Sequence, residues 1–492
     1  MFALQLLKTN NTRLTLCSAI AVDTVSVKLN QMALLSTRGG LQRSFVPQEI
    51  SDYTLSFVQT EIECLKQCSL VCRSWLYASR EYLFRSIEIN HANADEFARV
   101  VGNPSSTLPS YVQKIRLNPR SSLDYRWFQR LVPVISRLAL VTSLVLERID
   151  WMGVNIRTRA SFLAHFAVSL TKLELKDIAF DAFADFQDLV CEFTELHALV
   201  VHNVTWENRP TFKPLTNTHP TGHPTHHAKA PKTLSPRLTQ LVLSHCPDNR
   251  QILLWLLSQP SALIHTVTSL QITPIRERDM VQFGRYIRTL GPHLLHLHIS
   301  FAIAEITPAC FGDQHLYPSL PTPPVPPHLD EQHLAELVAA DARWWELEKG
   351  IIKEEGLSVC ENLVALTSLR TLRIDHFLTR NAEGESRSEV TRRVPSNAVM
   401  WAPKVLMSIK SPYLTRITLD VCVARTGEVD MHSIKWKYLD RILTQGRKET
   451  VKEIVISYSG GVKGDAVRDL ISSRWPTCAS KGILRFVPAN CL

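Results

Sequence analysis

A six-residue frame, apolar-x-x-apolar-x-apolar, recurs along most of the chain. Its second half alternates as a β-strand does, because side chains two residues apart point to the same side of a strand. Copies begin at residues 84, 112, 141, 170, 196, 238, 267, 294, 369, 414 and 451. The first five, and those at 238, 267 and 294, are 26 to 29 residues apart, the spacing of long leucine-rich repeats.

Segments with helical spacing lie between these frames, at 95–101, 125–138, 160–169, 182–193, 252–257, 278–290, 398–408, 433–443 and 465–473. The regular alternation predicts an α/β fold in which residues 84–492 form a leucine-rich-repeat-like solenoid of parallel strands and outer helices. A doubly wound open sheet alternates in the same way and is the alternative. The near-constant spacing and the repeated frame favour the solenoid.

Three segments interrupt the repeat and are predicted to be inserted loops, near 207–236, 303–365 and 378–395. The first is rich in Pro, His and Thr, the second contains a Pro-rich run, and the third is charged and poor in apolar residues. Such compositions are typical of solvated loops at the surface.

Residues 45–83 are predicted to form a small helical domain of three short helices. Apolar residues recur in it at roughly helical spacing, Pro47 suits the first helical position, and Glu49 lies near the positive end of the helix dipole. Helices this short bury little surface by themselves. We therefore expect the cluster to leave an apolar face for a partner.

The spaced residues of this segment resemble an F-box, which they match at Pro47, Glu49, Ile50, Leu55, Leu65, Val71, Cys72, Arg73, Trp75, Leu83 and Phe84. The sequence departs from the family pattern at Val46, where Leu is usual, and at Thr54, where Ile is usual. The resemblance implies the adaptor-binding residues Val46, Pro47, Ile50, Leu55, Leu65, Val71, Cys72, Trp75 and Leu83. An ordinary helical cap on the following domain is the alternative interpretation.

An F-box followed by such repeats is similar to fungal proteins with irregular leucine-rich repeats. In that family the F-box docks on a Skp-type adaptor, and through it on a cullin of a ubiquitin ligase, while the repeats capture a protein substrate. The resemblance implies a substrate receptor that is not an enzyme and has no cofactor. Two other functions stay open: a repeat scaffold unconnected with ubiquitin, and a nucleotide-binding enzyme that uses the Gly-containing loop near Ser459.

The residue between the last two apolar positions of each frame is expected to point away from the core. Along the chain this column is apolar or neutral in the middle and charged to either side, which is typical of a protein-binding patch. We predict that the substrate docks there, on Arg116, Val200, Val242, Gln271, Arg370 and Arg373. The arginines near residue 370 are expected to engage acidic groups. A merely solvated sheet face is the alternative.

Charge adds little to this prediction. The 55 Lys and Arg exceed the 46 Asp and Glu by nine, and the basic residues are scattered rather than clustered in a stripe. A nucleic-acid-binding surface is normally a clustered basic patch, and no apolar run approaches the ~20 residues that span a bilayer. We therefore expect neither nucleic-acid nor membrane partners.

Eleven cysteines without paired spacing predict free thiols in a reducing compartment, hence a cytoplasmic and/or nuclear location. Cys64, Cys68 and Cys72 have the even spacing of one helical face, which does not suit an iron–sulfur cluster. The His-rich stretch 219–227 contains no cysteine or carboxylate to complete a metal site, and no metal is predicted. Residues 1–44 are predicted to be a poorly ordered extension, with a transit peptide as the alternative.

Overall fold

The structure, a computed structural model, describes residues 47–120, 125–206, 233–276, 279–302, 359–380, 402–423, 436–444, 450–459 and 463–489. The chain divides into two compact units, Met1–Val141 and Thr142–Leu492. The predicted extension 1–44 lies outside the described residues. The sequence predicted a domain boundary between residues 83 and 84. The division into compact units does not test that boundary, which stays a prediction.

The first unit begins with a cluster of three helices, α1 (Gln48–Phe57), α2 (Ile62–Cys68) and α3 (Arg73–Phe84). Its core consists of four buried side chains: Leu55, Leu65, Trp75 and Ala78. Four partly buried side chains pack around them: Val58, Cys68, Tyr82 and Leu83. A core of this size is small, so each of its members matters to the stability of the cluster.

Helix α1 is fixed at its start by backbone and side-chain hydrogen bonds. The carbonyl oxygen of Pro47 accepts the N–H groups of Ile50 and Ser51, at 3.1 and 3.2 Å. Pro47 therefore caps the helix one position before the place that the sequence predicted for it. The Ser74 hydroxyl of α3 donates to the side-chain oxygen of Gln48 at 2.7 Å and ties the two helices together.

The rest of the first unit contains β1 (Ser86–Ile89), α4 (Ala94–Gly102), a 3-10 turn (Leu108–Ser110), β2 (Lys114–Leu117) and α5 (Arg126–Ile135). The two strands pair in parallel, with Ile87 opposite Ile115 and Ile89 opposite Leu117. The first two copies of the apolar frame thus lie side by side. Both helices bury an aromatic residue, Phe97 on α4 and Phe128 on α5.

The second unit is built on ten parallel strands: β3 (Ser143–Glu147), β4 (Lys172–Lys176), β6 (Ala198–His202), β8 (Gln240–Ser244), β9 (Ser269–Arg276), β10 (His296–Ala302), β11 (Thr371–Arg380), β12 (Arg416–Val423), β13 (Glu453–Ser459) and β14 (Leu484–Pro488). Two shorter strands, β5 (Ala179–Phe180) and β7 (Thr205–Trp206), pair separately. The last four residues of every copy of the frame from residue 141 onward lie in a strand of the larger sheet, and the first apolar residue lies just before it.

Helices connect these strands: α6 (Ile156–Phe166), α7 (Phe183–Cys191), α8 (Asn249–Leu257), α9 (Ser261–Ile264), α10 (Met280–Leu290), α11 (Val359–Leu363), α12 (Ala402–Ser408), α13 (Trp436–Thr444), α14 (Gly464–Arg474) and α15 (Pro476–Ser480). A 3-10 turn, Gly291–His293, follows α10. Each of the nine segments predicted to be helical contains a helix. The apolar frame residues are buried, so they form the core between strands and helices.

The order of the strands decides between the two predicted architectures. In the large sheet of the second unit, strands succeed one another in chain order without reversal. A doubly wound sheet reverses its strand order at a switch point, whereas a solenoid adds each repeat to the last. Equivalent frame positions are also paired, for example Leu241 with Leu270 and Leu270 with Leu297. The predicted α/β repeat solenoid is confirmed.

A shared turn follows several strands. Arg148, Asp177, Asn203 and His245 have φ values between 50° and 56°, in the left-handed region. Each donates its backbone N–H to a carbonyl of the next strand, at 2.6 to 3.0 Å. Asn and Asp adopt this conformation readily, but Arg and His do so less often. The turn is thus a feature of the repeat that the residue types do not reveal.

Where the structure describes the ends of the predicted insertions, two of them contain helix or strand. The second one, near 303–365, contains α11 at its C-terminal end, and β11 extends to Arg380 inside the third. Most of the three segments lies outside the described residues. Strand β14 had no predicted frame, because Lys481 stands where the first apolar residue would be when Leu484 and Phe486 align with β13.

Candidate protein-interaction surfaces

Exposed apolar side chains are concentrated on the cluster α1–α3. Of 13 large hydrophobic residues that are exposed in the described parts of the chain, seven belong to it: Ile50, Tyr53, Phe57, Ile62, Leu70, Val71 and Tyr77. Their exposed fractions lie between 42% and 74%. Single exposed apolar residues are ordinary, whereas a concentration of them marks a contact site. The apolar face expected from the sequence is therefore present.

Three of these residues form a stripe along α1, here called the α1 stripe: Ile50, Tyr53 and Phe57. They lie on one side of the helix because their positions are three and four apart. The rings of Tyr53 and Phe57 touch edge to face, with centroids 4.8 Å apart. Leu55, on the same helix, is fully buried. The helix is thus anchored on one side and presents apolar side chains to solvent on the other.

The structure divides the predicted adaptor-binding residues into two groups. One group is exposed: Pro47, Ile50, Val71 and Cys72. The other belongs to the core of the cluster or packs on it: Leu55, Leu65, Trp75 and Leu83. The core residues have little surface left for a partner, so we expect them to support the helices, and their part in adaptor binding stays a prediction. Val46 lies outside the described residues.

Sequence reasoning missed five exposed apolar residues of the cluster as contact candidates: Tyr53, Phe57, Ile62, Leu70 and Tyr77. Their helical spacing was visible, but residues of a buried face have the same spacing. Only the packing of the helices separates the two cases. Thr54 replaces the Ile that is usual at this position of the F-box pattern. Its hydroxyl is satisfied within the helix, because it donates to the Ile50 carbonyl at 2.7 Å.

In the second unit the strand register gathers the predicted outward column into one line. Adjacent pairs are Val200 with Val242, Val242 with Gln271, Gln271 with His298, and His298 with Arg373. These five residues are called the sheet row below. Neighbouring strands are roughly 4.8 Å apart, so the side chains form a continuous strip. Their part in substrate binding stays a prediction.

Two predicted substrate-binding residues lie off the sheet row. Arg116 is on β2 of the first unit, where it lies opposite Glu88 of β1 in the parallel strand register. Arg370 precedes β11 and is exposed, while its backbone N–H donates to the Leu295 carbonyl at 2.8 Å. Arg370 thus stands at the beginning of the strand that carries Arg373.

The line of the sheet row is accessible only in part. Its five members are half-buried. On one side the line continues through the half-buried Glu174 on β4 to the buried Val145 on β3. On the other side it is buried at Thr418 on β12 and Val455 on β13. The expectation of an exposed column along the whole array is therefore wrong at these positions. A ligand has access to the part of the line between β4 and β11.

An open cavity of about 300 Å³ lies against the sheet row. Its walls come from five neighbouring strands: Gln240, Val242, Ser269, Leu270, Gln271, His296, Leu297, His298, Thr371, Leu372, Arg373, Arg416 and Thr418. The ionisable groups among these described residues are two arginines and two histidines, with no carboxylate. The apolar centre predicted from the sequence therefore borders on a polar and basic cavity.

The guanidinium of Arg373 is held by the carboxylate of Asp375, which lies two residues further along the same strand. Its Nε donates to Asp375 Oδ1 at 3.0 Å, and Nε2 of His298 lies 2.6 Å from Asp375 Oδ2. Burial would raise the pKa of Asp375, but His298 and Arg373 outweigh it and hold that pKa below its usual range. Asp375 therefore remains ionised and fixes both basic side chains.

The second arginine of the cavity is held in a similar way. Arg416 Nε lies 3.4 Å from Glu453, which also accepts from Arg485 at 3.0 Å. Nearby, His296 Nδ1 and Thr371 Oγ1 are 2.8 Å apart. Burial, together with the charge of Arg370, lowers the pKa of His296. His296 is therefore predominantly neutral near pH 7.

The glycine-containing loop of the nucleotide-binding alternative lies between β13 and α14. Residues 460–462 of it are outside the described residues. At its end, the hydroxyl of Tyr458 lies so close to Gly464 that a side chain there would overlap it. A ring in this position occupies space beside the first turn of α14, where a phosphate would need to approach the backbone N–H groups.

The described residues contain no group of three or more His, Cys, Asp or Glu side chains placed to hold a metal ion. The His-rich stretch 219–227 lies outside them. Cysteines are free throughout the described ranges, and burial raises the pKa of Cys246 to about 11, which makes it an unreactive thiol. In the same ranges, no helix has the length and apolar character that crossing a membrane requires.

Comparison with known proteins adds a distant structural likeness. The sequence matches no protein-family model and no curated protein. Among solved structures, the chain is similar to one described as "Crystal structure of Rad7 and Elc1 complex in yeast", with a TM-score of 0.33 and 10% sequence identity. The alignment covers 91% of this chain and 95% of that one. At this distance the likeness identifies neither a family nor a function.

Proposed function

We propose that the protein is a substrate receptor of a Skp–cullin–F-box type ubiquitin ligase. In this proposal α1–α3 bind a Skp-type adaptor, and through it a cullin, while the sheet row binds a protein substrate. The observation that carries the proposal is the set of seven exposed apolar side chains on a cluster with only four buried ones. A partner with a complementary apolar surface would remove this set from water.

The α1 stripe is large enough to contribute substantially to such binding. Ile50, Tyr53 and Phe57 expose 54%, 65% and 66% of their surface. Fully burying an apolar side chain of this size contributes about 1.5–3 kcal/mol. Covering what these three residues expose therefore contributes on the order of 3–5 kcal/mol, before the cost of association is subtracted.

The chain itself has a positioning role in this proposal and is not an enzyme. Partner subunits carry out ubiquitin transfer, and the repeat sheet selects what is brought to them. Residues 45–83 form the adaptor-binding domain and residues 84–492 the substrate-binding array, in the cytoplasm and/or nucleus. No cofactor, nucleic acid or membrane takes part. The nucleotide-binding alternative is weakened by the position of Tyr458 against Gly464.

Co-elution with a purified Skp-type adaptor tests the proposal. The wild-type chain and a matched control, Ile156→Lys, are compared with Ile50→Lys. Ile156 is an exposed isoleucine at the start of α6 in the second unit. We expect the adaptor to co-elute with the wild type and with Ile156→Lys, and to be lost with Ile50→Lys.

Two results would contradict the proposal. If the wild-type chain does not co-elute with the adaptor while the sheet row still binds protein ligands, the chain is a scaffold unconnected with ubiquitin. If Ile50→Lys co-elutes as the wild type does, the adaptor contacts a surface other than the α1 stripe.

A further inference from the structure

We propose that the cavity beside the sheet row binds an anionic side chain of the substrate, either a carboxylate or a phosphorylated hydroxyl, through the guanidinium of Arg373. The source of this ligand, a protein substrate, rests on the function proposed above. The anion site itself rests on the geometry and charge of the cavity. It names the chemical class of the group that the receptor selects.

The walls of the cavity suit an anion because they offer hydrogen-bond donors and positive charge. Arg373 and Arg416 supply guanidinium groups, and Thr371, Thr418 and Gln271 supply hydroxyl and amide donors. Guanidinium groups bind carboxylate and phosphate oxygens in pairs of hydrogen bonds, which gives both strength and orientation. Among the described residues, no carboxylate lines the cavity to repel such a ligand.

A hydrogen bond to Asp375 orients Arg373 before any ligand binds and leaves the terminal amino groups of its guanidinium available. In the described residues, its side chain is engaged through Nε, which donates to Asp375. The terminal amino groups of the same guanidinium are therefore available for a ligand. Asp375 is in turn fixed by His298, so the arginine has little freedom to lose on binding.

The local balance of charge remains positive after these ion pairs are counted. Two arginines line the cavity, Arg373 and Arg416. Arg370 lies close enough to the lining residue His296 to affect its pKa, and Arg485 shares Glu453 with Arg416. Two carboxylates neutralise part of this charge, Asp375 and Glu453. Four positive and two negative groups leave an excess of two positive charges. An anion entering the cavity thus meets net attraction.

The surroundings favour a protein segment over a nucleic acid as the source of the anion. A cavity of about 300 Å³ accepts a side chain, and the sheet row continues from it through Val242 to Val200. Both valines are half-buried and extend the surface as an apolar strip. A segment with an acidic residue beside apolar residues is complementary to this arrangement. A nucleic acid would require a longer basic track.

Selection from a library of random linear peptides on the immobilised full-length chain tests the site. Selected peptides are then synthesised with Glu, phosphoserine or Gln at the acidic position, and their affinities are measured. We expect acidic residues to be enriched, and Arg373→Gln to weaken binding about tenfold or more, as loss of a charge-assisted pair implies. Equal affinity for Glu and phosphoserine indicates a carboxylate ligand, and clear preference for phosphoserine indicates a phosphorylated one.

Arg468→Gln is the matched control, because it removes the same charge from the helix α14, where Arg468 is paired with Asp465. It should bind the peptides as the wild type does. Gln271→Glu is a second variant that places a negative charge in the cavity wall and leaves Arg373 with Asp375. It should weaken binding of acidic peptides by a larger factor than binding of the Gln peptide, because only the acidic peptides meet charge repulsion from Glu at this position.

The proposal is overturned if acidic residues are not enriched, or if Arg373→Gln and Arg468→Gln have equal effects. It is also overturned if a single-stranded oligonucleotide competes with the peptides and itself depends on Arg373. Adaptor co-elution is measured on the same preparations. If the anion site fails these tests but the adaptor still co-elutes, only the anion site is contradicted. If acidic peptides bind through Arg373 but the adaptor does not co-elute, only the receptor function is contradicted.

Discussion

Trp75→Ala and Ile50→Lys should separate the stability of the helical cluster from its partner contact. Trp75 is 9% exposed and belongs to the four-residue core of the cluster. Ile50 is 54% exposed on the α1 stripe. Both residues match the F-box pattern, yet they differ in what surrounds them. We therefore expect the first substitution to open the cluster and the second to leave it folded.

The expected magnitudes follow from burial. Replacing a buried Trp by Ala costs about 3–5 kcal/mol, which a core of four side chains cannot absorb. An exposed substitution such as Ile50→Lys changes the stability by within about 0.5 kcal/mol. In a complex, however, the lysine would place a charge in an apolar contact. This costs several kcal/mol and weakens adaptor binding by about a hundredfold or more.

Hydrogen–deuterium exchange of the two variants tests this reasoning. Peptides from α1–α3 are followed, with peptides from the second unit as an internal reference. Protection of α1–α3 should be lost in Trp75→Ala and retained in Ile50→Lys, while the reference peptides are unchanged in both. Retained protection in Trp75→Ala, or equal loss in the two variants, would refute the division between core and surface.

Three further predictions concern the second unit. Asp440 accepts the backbone N–H groups of Thr477 and Cys478 at 3.0 and 2.9 Å, so Asp440→Ala should lower the unfolding free energy in urea by about 2–4 kcal/mol. Burial tends to raise the pKa of Asp440, but these hydrogen bonds outweigh burial and lower the pKa in the folded state. The stabilisation is therefore complete above about pH 4, the pKa of an unfolded Asp, and is lost as the pH falls through the lower folded pKa. Below that pH the unfolding free energies of wild type and variant should converge. Gly464→Ala should cost about 1–3 kcal/mol by overlap with Tyr458, and an additional Tyr458→Val should restore most of the loss of thermal stability. Deleting residues 208–232, in the segment where successive frames are 42 rather than 26 to 29 residues apart, should leave the thermal midpoint and adaptor co-elution unchanged, and a large fall would contradict the predicted insertion.

The architecture was predictable because its signal is repeated along the sequence. From residue 112 onward each copy of the frame buries its three apolar residues, so the same pattern recurs wherever a strand is added. Strand β14 escaped prediction because Lys481 interrupts the frame at one position. The left-handed turns escaped because Arg148 and His245 are held there by a hydrogen bond to the next strand.

The candidate surfaces were predictable in position and less so in character. Strand periodicity placed Val242, Gln271 and Arg373 in one line, because alternate residues share a face. It did not reveal the basic cavity, which also requires His296 and Arg416, two residues that lie two positions before the sheet-row position on their strands. It did not reveal that Val455 is buried, because burial depends on neighbours in space.

The deuterium-exchange footprint of a Skp-type adaptor on the full-length chain tests the central claim most directly. If the α1–α3 cluster is the docking site, adaptor binding will slow exchange in α1 and in the segment that carries Leu70, Val71 and Tyr77. Exchange across the strands of the second unit will remain as it is in the free chain. Absence of binding, or protection confined to the second unit, would contradict the claim.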